Sequence, residues 1–434
     1  MYRLTETDGK LCYADEILGV NARVFGGWAA ELVQTPQIAA MGSEEEIRYR
    51  IQHPSAGQSL GALVQTRKAR TVSILVSDAT RAVPTAKLLK WVVEELVEAG
   101  ILLSDIHVFV AVGVHREATE EEMEGFLGDL SGEISIENHR PFSRESLWYL
   151  GETSRGTPVW VNRRAMECDL HLQIGKVEPH EFAGFSGGRK SVLPGICGEK
   201  TIAQNHRPEM ILHGGAGIGL LEGNPVHEDM VEAAGKYRID FGVNCVLNNE
   251  LELAAVFAGE MKESHRQAVD YVREQMGVGI ERPDILVTTP GNPLDIDFYQ
   301  AVKALIALTE ILDERTVVVL YCGCPEGVNS PDMLRAFYSG ERLEQVVSYT
   351  VEHYKIQMDH VLLLSKILRK GVKVVVCCPN LSEEEIRGMF MIPAPTLQAA
   401  MDQACQLSRK AGGKVLFYPR PQTGLAVLRA LTLI

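Results

Sequence analysis

A glycine-rich stretch between Glu178 and His206 combines side chains that can transfer protons, attack electrophiles and bind metal. It contains the run EFAGFSGGRKSVLPG directly after His180 and ends at Asn205-His206. Lys190 supplies an amine, and the two histidines supply imidazole rings. A long loop of this composition is uncommon in a compact domain unless it has a function. We therefore expect a cofactor site in this stretch.

Further polar residues stand where predicted strands end. Asp78, Thr80 and Arg81 follow a β-branched run from residue 71 to 76, and His115 follows a predicted strand over residues 106–112. In open α/β sheets, ligands bind at the carboxyl ends of the strands. These residues are therefore candidate partners of the glycine-rich stretch.

Each of these candidates also has a plain structural explanation. A helix N-cap accounts for Asp78 about as well as a ligand site does. Gln300 and Lys303 stand three apart on one predicted helix, where a polar pair is usually solvated. His115 and His180 stand out among the twelve histidines because each follows a strand end and precedes a turn.

The alternation of strands and helices predicts two α/β domains with mostly parallel sheets. We place the first domain at residues 1–279 and a smaller second domain at 280–434, with the last ~20 residues packing back on the first domain. The second domain includes a predicted helix over residues 298–312, which carries Gln300 and Lys303. The active site is expected in the cleft between the domains.

Composition limits the classes of partner. The 434 residues carry a formal net charge of −14, which argues against nucleic acid and anionic membrane. The nine cysteines, the absence of a basic apolar leader and the absence of a long apolar run indicate a cytoplasmic protein. Cys322-Gly323-Cys324 lacks the two-residue spacer of a zinc or redox pair, so we interpret these cysteines as small buried hydrophobes.

The run from Gly184 to Ser191 also suggests a phosphate-binding loop, and hence a kinase or transferase. That motif requires glycine directly before its lysine, whereas Arg189 precedes Lys190 here. The glycine spacing of a dinucleotide site is missing as well. A phosphate-binding enzyme is therefore kept as the less favoured alternative.

Together, these motifs resemble the nickel-pincer lactate racemase family. The resemblance extends in order from Asp78 to Lys303 and rests on the motifs DATR, GVHR, EPH, GFSGGRK, NH and YQAVK. It implies an isomerase that inverts C2 of a 2-hydroxy acid by reversible hydride transfer, through a planar keto acid. It also implies partner proteins that make the cofactor, because this chain cannot.

The resemblance assigns a role in the site to individual residues of this sequence, by their position in the shared motifs. Lys190 would be joined to the nickel-pincer nucleotide, a pyridinium-3-thioamide-5-thiocarboxylate mononucleotide, and His206 would be a ligand of its Ni(II). His115 and His180 would act as acid and base. The remaining assignments are cofactor contacts by Asp78, Thr80, Arg81, Ser186, Gly187 and Gly188, and substrate contacts by Tyr299, Gln300, Lys303 and Tyr354.

One departure from the family concerns the substrate. Tyr354 stands where the family often has tryptophan, so malate, an aryl lactate or a sugar acid such as gluconate is as reasonable a substrate as lactate. A non-catalytic carrier of the cofactor or of nickel is the remaining alternative.

Overall fold

A computed structural model describes residues 1–7, 10–355 and 358–429, and it divides the chain into two compact units. One unit is formed by residues 37–275, and the other by residues 1–36 together with 276–434. Residues 1–36, which are predicted from the sequence to belong to the first domain, lie in the same unit as residues 276–434. The final residues, 430–434, lie outside the described part of the chain.

The two units contain the following elements. The strands are β1 (Tyr2–Thr7), β2 (Lys10–Asp15), β3 (Val20–Arg23), β4 (Ala29–Leu32), β5 (Val72–Ser77), β6 (Ile106–Ala111), β7 (Ser135–Asn138), β8 (Leu147–Glu152), β9 (Pro158–Asn162), β10 (Leu170–Lys176), β11 (Pro179–His180), β12 (Gly184–Phe185), β13 (Phe241–Leu247), β14 (Leu253–Gly259), β15 (Gly277–Ile280), β16 (Ile285–Thr288), β17 (Val317–Tyr321), β18 (Lys373–Cys377), β19 (Ile392–Pro393), β20 (Lys414–Phe417) and β21 (Leu425–Leu428). The α-helices are α1 (Glu44–Gln52), α2 (Leu60–Arg67), α3 (Thr85–Glu98), α4 (Glu120–Leu127), α5 (Arg163–Met166), α6 (Glu199–Asn205), α7 (Pro208–Ile211), α8 (Pro225–Tyr237), α9 (Met261–Met276), α10 (Phe298–Ala301), α11 (Lys303–Ile306), α12 (Pro331–Phe337), α13 (Leu343–Glu352), α14 (Asp359–Arg369), α15 (Glu383–Gly388) and α16 (Leu397–Ser408).

The unit of residues 37–275 is built on a six-stranded sheet in the order β14-β13-β10-β5-β6-β7. All neighbours are parallel except β13 and β14. Strand β5 is buried along its length, and α3 buries Leu88, Val92 and Leu96 in the same core. Since β10, β5 and β6 are adjacent and parallel, the three predicted polar clusters lie at one edge of this sheet.

The other unit has a second six-stranded sheet, in the order β19-β18-β17-β16-β20-β4, and all its strands are parallel. The N-terminal residues join it because β4 pairs with β20, and because the antiparallel β1-β2-β3 sheet places Tyr13 on Phe417. Those two rings are stacked with centroids 4.2 Å apart. The two mostly parallel sheets confirm the predicted fold class.

Local sequence signals were reliable for some helices but not for all. Thr119 and Glu122 form the predicted capping box of α4. The single helix expected over residues 298–312 is instead divided into α10, α11 and a final 3₁₀ turn. This segment is buried on nearly every side, so tertiary packing outweighs its helical propensity. Within the described residues, no helix combines the length and apolar character required to cross a bilayer.

Candidate active site

The end of β5 meets the end of β6 through a hydrogen-bonded pair of side chains. Asp78 caps a 3₁₀ turn, and its Oδ1 accepts bonds from the Thr80 amide at 2.8 Å and the Thr80 hydroxyl at 2.5 Å. Its other oxygen, Oδ2, lies 3.0 Å from Nδ1 of His115. Burial raises the pKa of Asp78, but the bonds from His115 and Thr80 outweigh that effect and hold the pKa at about 2.

This pairing fixes the tautomer of His115. A carboxylate that stays ionised at neutral pH can only accept, so Nδ1 of His115 carries the hydrogen of the shared bond. The neutral ring then has its lone pair on Nε2. Because the His115 side chain is 44% exposed, that nitrogen can accept a proton from a bound molecule. Asp78 therefore positions His115, and Thr80 positions Asp78.

His180 is held in the opposite tautomer. The Ala183 amide donates to Nδ1 of His180 across the short β11–β12 hairpin, at 3.4 Å. Burial, together with the positive charges of Lys190 and Arg81, lowers the pKa of His180 well below its usual value. The resting ring is therefore neutral, with its hydrogen on Nε2, and it becomes a proton donor when it takes up a second proton.

His206 has the arrangement of a metal-binding histidine. It is the C-cap of α6, and its Nδ1 donates to the Ile202 carbonyl oxygen at 3.1 Å. Burial and the charge of Lys190 lower the pKa of His206 to about 3, so the ring stays neutral. A neutral imidazole that uses one nitrogen on a backbone carbonyl presents the other nitrogen as a ligand.

Phe182 brings the loop's candidate residues together. Its ring is 4% exposed and makes edge-to-face contacts with His180 at 4.8 Å and with His206 at 5.2 Å between centroids. The Lys190 Nζ lies 6.0 Å from the same ring's centroid. Three polar side chains predicted to act together therefore surround one buried aromatic ring.

The environment of Lys190 favours the neutral amine. Burial lowers its pKa well below the usual value, and the charges of Arg189 and Arg81 lower it further. An uncharged amine has a free lone pair and is a nucleophile. Lys190 can therefore form a covalent bond to an electrophilic group.

Arg189 connects several parts of the loop through hydrogen bonds from its buried guanidinium group. It is 1% exposed, and its Nη2 donates to the Ala183 carbonyl oxygen at 2.8 Å. Its Nη1 lies 3.3 Å from the carbonyl oxygens of Ser186 and Gly187, and 2.9 Å from Nε2 of His265. The planar guanidinium thus connects the backbone of residues 183–187, just before Lys190, to the His265 side chain.

The serine and glycines assigned to the cofactor make contacts within the protein. The Ser186 hydroxyl donates to the Lys176 carbonyl oxygen at 2.7 Å and accepts from the Glu178 amide at 2.9 Å. A Cβ on Gly187 would lie 2.6 Å from Val177, and one on Gly188 would lie 2.9 Å from His265. The absent side chains therefore allow close packing of the loop, and contact of these residues with the cofactor stays a prediction.

The predicted substrate-binding residues belong to the unit of residues 1–36 and 276–434. Tyr299 and Gln300 lie on α10, and Lys303 begins α11, so a helix boundary separates two residues that were expected on one continuous helix. Tyr299 is stacked on His360 with centroids 4.2 Å apart. Tyr354 is half-buried, and burial raises its pKa.

Sequence reasoning missed Phe182, Arg189 and His265. Phe182 is an apolar residue within a polar run, and His265 is on α9, 76 residues after Arg189. The one available signal was the replacement of the phosphate-loop glycine by Arg189. That replacement is explained by the hydrogen bonds that Arg189 donates to the loop.

Comparison with known proteins identifies the family. The model of the lactate racemase N-terminal domain matches residues 23–219, and that of the lactate racemase C-terminal domain matches residues 278–427. A lactate racemase from Thermoanaerobacterium thermosaccharolyticum is 30% identical over 370 residues, which cover 83% of this chain and 85% of that protein. One from Lactiplantibacillus plantarum is 34% identical over 289 residues, covering 66% of this chain and 68% of the relative.

Solved structures agree with this assignment. The lactate racemase apoprotein from T. thermosaccharolyticum matches with a TM-score of 0.83 and 28% identity, over 95% of this chain and 98% of that one. A Thermotoga maritima protein at 20% identity, with a TM-score of 0.63, shares the fold over 90% of this chain and all of its own. The chain therefore belongs to the lactate racemase family, and it is an isomerase of the racemase class.

Proposed function

We propose that the protein inverts C2 of a small 2-hydroxy acid, with His115 and His180 as the acid–base pair. The observation that carries the proposal is that Nδ1 of each ring is held by the protein, by the Asp78 carboxylate for His115 and by the Ala183 amide for His180, which leaves both Nε2 atoms for chemistry. Inversion at a carbinol centre requires a base for the hydroxyl proton in one direction and an acid to return it in the other. One neutral ring and one protonated ring can exchange these roles without a net change in charge.

The residues of the loop fit the nickel-pincer nucleotide. Burial lowers the pKa of Lys190 and so increases the neutral, nucleophilic fraction of the amine that covalent attachment needs, and His206 presents a neutral ring nitrogen suited to Ni(II). When bound, this group supplies a reversible hydride acceptor, so that C2 passes through a planar 2-keto acid. Arg81, exposed near Lys190 and His180, is the residue we assign to the anionic part of the cofactor or substrate.

The chain's own residues then handle charge and protons. Nε2 of His115 takes the hydroxyl proton of one enantiomer and becomes an imidazolium, and His180 returns a proton to the alkoxide of the other from its own imidazolium form. Each turnover therefore begins with one neutral and one protonated ring and ends with the two forms exchanged. We assign Lys303 and Gln300 to the substrate carboxylate, with Tyr299 and Tyr354 shaping the rest of the pocket. Ser186, Gly187 and Gly188 contribute by holding the loop that carries Lys190.

Lactate is the first substrate to test, because the relatives from T. thermosaccharolyticum and L. plantarum are lactate racemases. The hydroxyl of Tyr354 favours a more polar or larger acid than tryptophan would. Malate, an aryl lactate and gluconate therefore belong in the same screen. With gluconate the reaction would be C2 epimerisation.

The test begins with intact-mass measurement of the full chain from a host that makes the cofactor. We expect a mass increment that Lys190→Arg abolishes and that Lys200→Arg, an exposed lysine on α6, retains. The His115→Ala and His180→Ala proteins should keep the mass increment but lose turnover of every acid in the screen. Chiral chromatography measures that turnover. Racemisation by the Lys190→Arg protein would refute the proposal.

The same samples separate the alternatives. ATP turnover without nickel would favour a phosphate-binding transferase that uses the loop from Gly184 to Ser191. A protein that retains the mass increment but leaves every acid unchanged would be a carrier of the cofactor or of nickel.

A further inference from the structure

Three buried cysteines converge at the carboxyl edge of the second sheet, in the unit that contains β16, β17 and β18. The sulfur atoms of Cys322, Cys324 and Cys378 all lie within 4.8 Å of one another. Cys322 follows β17 and Cys378 follows β18, and the last residues of these two strands, Tyr321 and Cys377, are register partners. Parallel pairing therefore brings together thiols that are more than fifty positions apart in the chain.

The backbone at Cys324 is held in an unusual conformation. Its φ is +46°, in the left-handed region that residues other than glycine rarely adopt. The Cys324 amide donates to the Asp295 carbonyl oxygen at 3.0 Å, and the Cys324 carbonyl accepts from Gly327 at 2.9 Å. Surrounding bonds thus maintain a strained conformation in which the Cys324 thiol lies close to its neighbours.

A carboxylate lies beside the thiols. Asp295 is 6% exposed and stands in a 3₁₀ turn, Leu294–Ile296, that follows β16, the strand next to β17. Its Oδ1 accepts from the Gly323 amide at 2.8 Å. A Cβ on Gly323 would lie 2.8 Å from Oδ2, so glycine is required between the two cysteines for Asp295 to approach.

The Cys378 side chain is held beside the turn that carries the other two cysteines. Its thiol donates to the Gly323 carbonyl oxygen at 3.5 Å, and the Asn380 side-chain amide donates to the same oxygen at 2.8 Å. Three thiols that converge beside a carboxylate form a ligand set suited to a borderline-soft divalent cation.

We propose that Cys322, Cys324 and Cys378 bind a zinc-class divalent cation, with the Asp295 carboxylate as the fourth ligand. Zinc takes four ligands at about 2.3 Å from sulfur, which places tetrahedral sulfurs about 3.8 Å apart. The three sulfurs already lie within 4.8 Å of one another, and Asp295 is held next to them by its bond with the Gly323 amide. A divalent ion offsets the charge of three thiolates and a carboxylate better than a monovalent ion such as Cu(I) does.

Binding involves no change of oxidation state. The cation forms three bonds to sulfur and one to oxygen, and the protons of thiols that are neutral beforehand pass to solvent. The site joins the ends of β16, β17 and β18. Its expected effect is stabilisation of that sheet, since a ligand that binds the folded state raises the free energy of unfolding.

The test uses the reduced, metal-free full chain titrated anaerobically with Co(II). We expect one equivalent to produce a thiolate-to-cobalt charge-transfer band, which imidazole ligands do not give, and Zn(II) to remove it. Cys378→Ser should abolish the band, whereas Cys377→Ser, the adjacent buried cysteine, should keep it. Circular dichroism of both variants checks that each is folded.

Three outcomes would overturn the proposal. The first is the absence of the charge-transfer band in the unsubstituted chain, and the second is an equal band in the two cysteine variants. The third is oxidation of two of the thiols to a disulfide in air that is equally fast with and without Zn(II). Asp295→Asn tests the fourth ligand, and we expect it to weaken Zn(II) affinity at least tenfold. An unchanged affinity would remove Asp295 from the site.

Discussion

Asp78 and His115 connect the ends of two neighbouring strands through a 3.0 Å contact between Oδ2 and Nδ1. The carboxylate does more than cap the turn after β5, because it determines which nitrogen of His115 is free for chemistry. The N-cap explanation and the functional one are therefore compatible. Asp78 caps with Oδ1 and positions the histidine with Oδ2.

Replacing Asp78 with asparagine should lower kcat about 10²-fold or more, with little change in KM. An amide can donate to Nδ1 of His115 and so allow the tautomer in which Nε2 carries the hydrogen. Rates in both directions, measured by chiral chromatography on fully loaded enzyme, give the effect. Thr80→Val is the control, because it removes a hydrogen bond to Asp78 but leaves the carboxylate. A loss of rate in Thr80→Val as large as in Asp78→Asn would contradict this role.

Phe182→Leu should reduce activity at least tenfold while costing about 1 kcal/mol of stability. Leucine fills a similar volume, but it has no ring face for the edges of His180 and His206. Activity and urea denaturation together separate the two effects.

Phe185→Leu is the matched control for this substitution. Phe185 is fully buried in the same loop, and its ring lies against Arg273, with 5.3 Å between the guanidinium carbon and the ring centroid. We expect a similar loss of stability with activity retained. Equal losses of activity in the two variants would show that Phe182 only fills space.

Gly188→Ala should destabilise the loop, and removal of His265 should partly relieve the effect. Gly188 has φ +52°, and an added Cβ would lie 2.9 Å from the His265 ring. In a double-mutant cycle with His265→Ala, we expect the double variant to lose about 1 kcal/mol less free energy of unfolding than the sum of the losses in the two single variants.

Gly184→Ala provides the contrast. There the added Cβ would lie 2.1 Å from the Leu220 carbonyl oxygen, a backbone atom that His265→Ala does not move. This variant should be the more destabilised of the two and should show no coupling to His265. If the losses of stability in Gly188→Ala and His265→Ala are additive, backbone strain alone, and not contact with His265, explains why glycine is needed at position 188.

The sequence predicted the parts of the site that depend on local order along the chain. Alternating strands and helices placed Asp78, His115 and the glycine-rich loop at strand ends, and adjacent parallel strands bring them to one sheet edge. The capping box at Thr119 was predicted for the same reason, since its partner is three residues away.

Features that depend on distant pairing were not predictable in this way. The assignment of residues 1–36 rests on β4 pairing with β20, which no local pattern reports. Arg189 is explained by His265 on a later helix, and the buried trithiol requires Cys378 from the next strand. In each case the decisive contact joins segments that the sequence separates by more than fifty positions.

The buried His139 should make the fold sensitive to acid. It is fully buried, its Nε2 lies 2.9 Å from the Cys197 carbonyl oxygen, and burial lowers its pKa to about 4. The unfolded chain, with an ordinary histidine pKa near 6.5, binds the proton more readily than the folded protein does. Stability from this group is therefore complete above about pH 6.5 and is lost as pH falls towards 4, by about 3 kcal/mol.

His139→Gln should remove that part of the pH dependence, even if it lowers stability at pH 8. The measurement is the free energy of unfolding in urea at pH 8, 6 and 5 for each protein, expressed as a slope against pH. His53→Gln is the control, because His53 is exposed at the end of α1 and should leave the slope unchanged. An equal slope in His139→Gln and in the unsubstituted protein would mean that protonation of His139 does not limit acid stability.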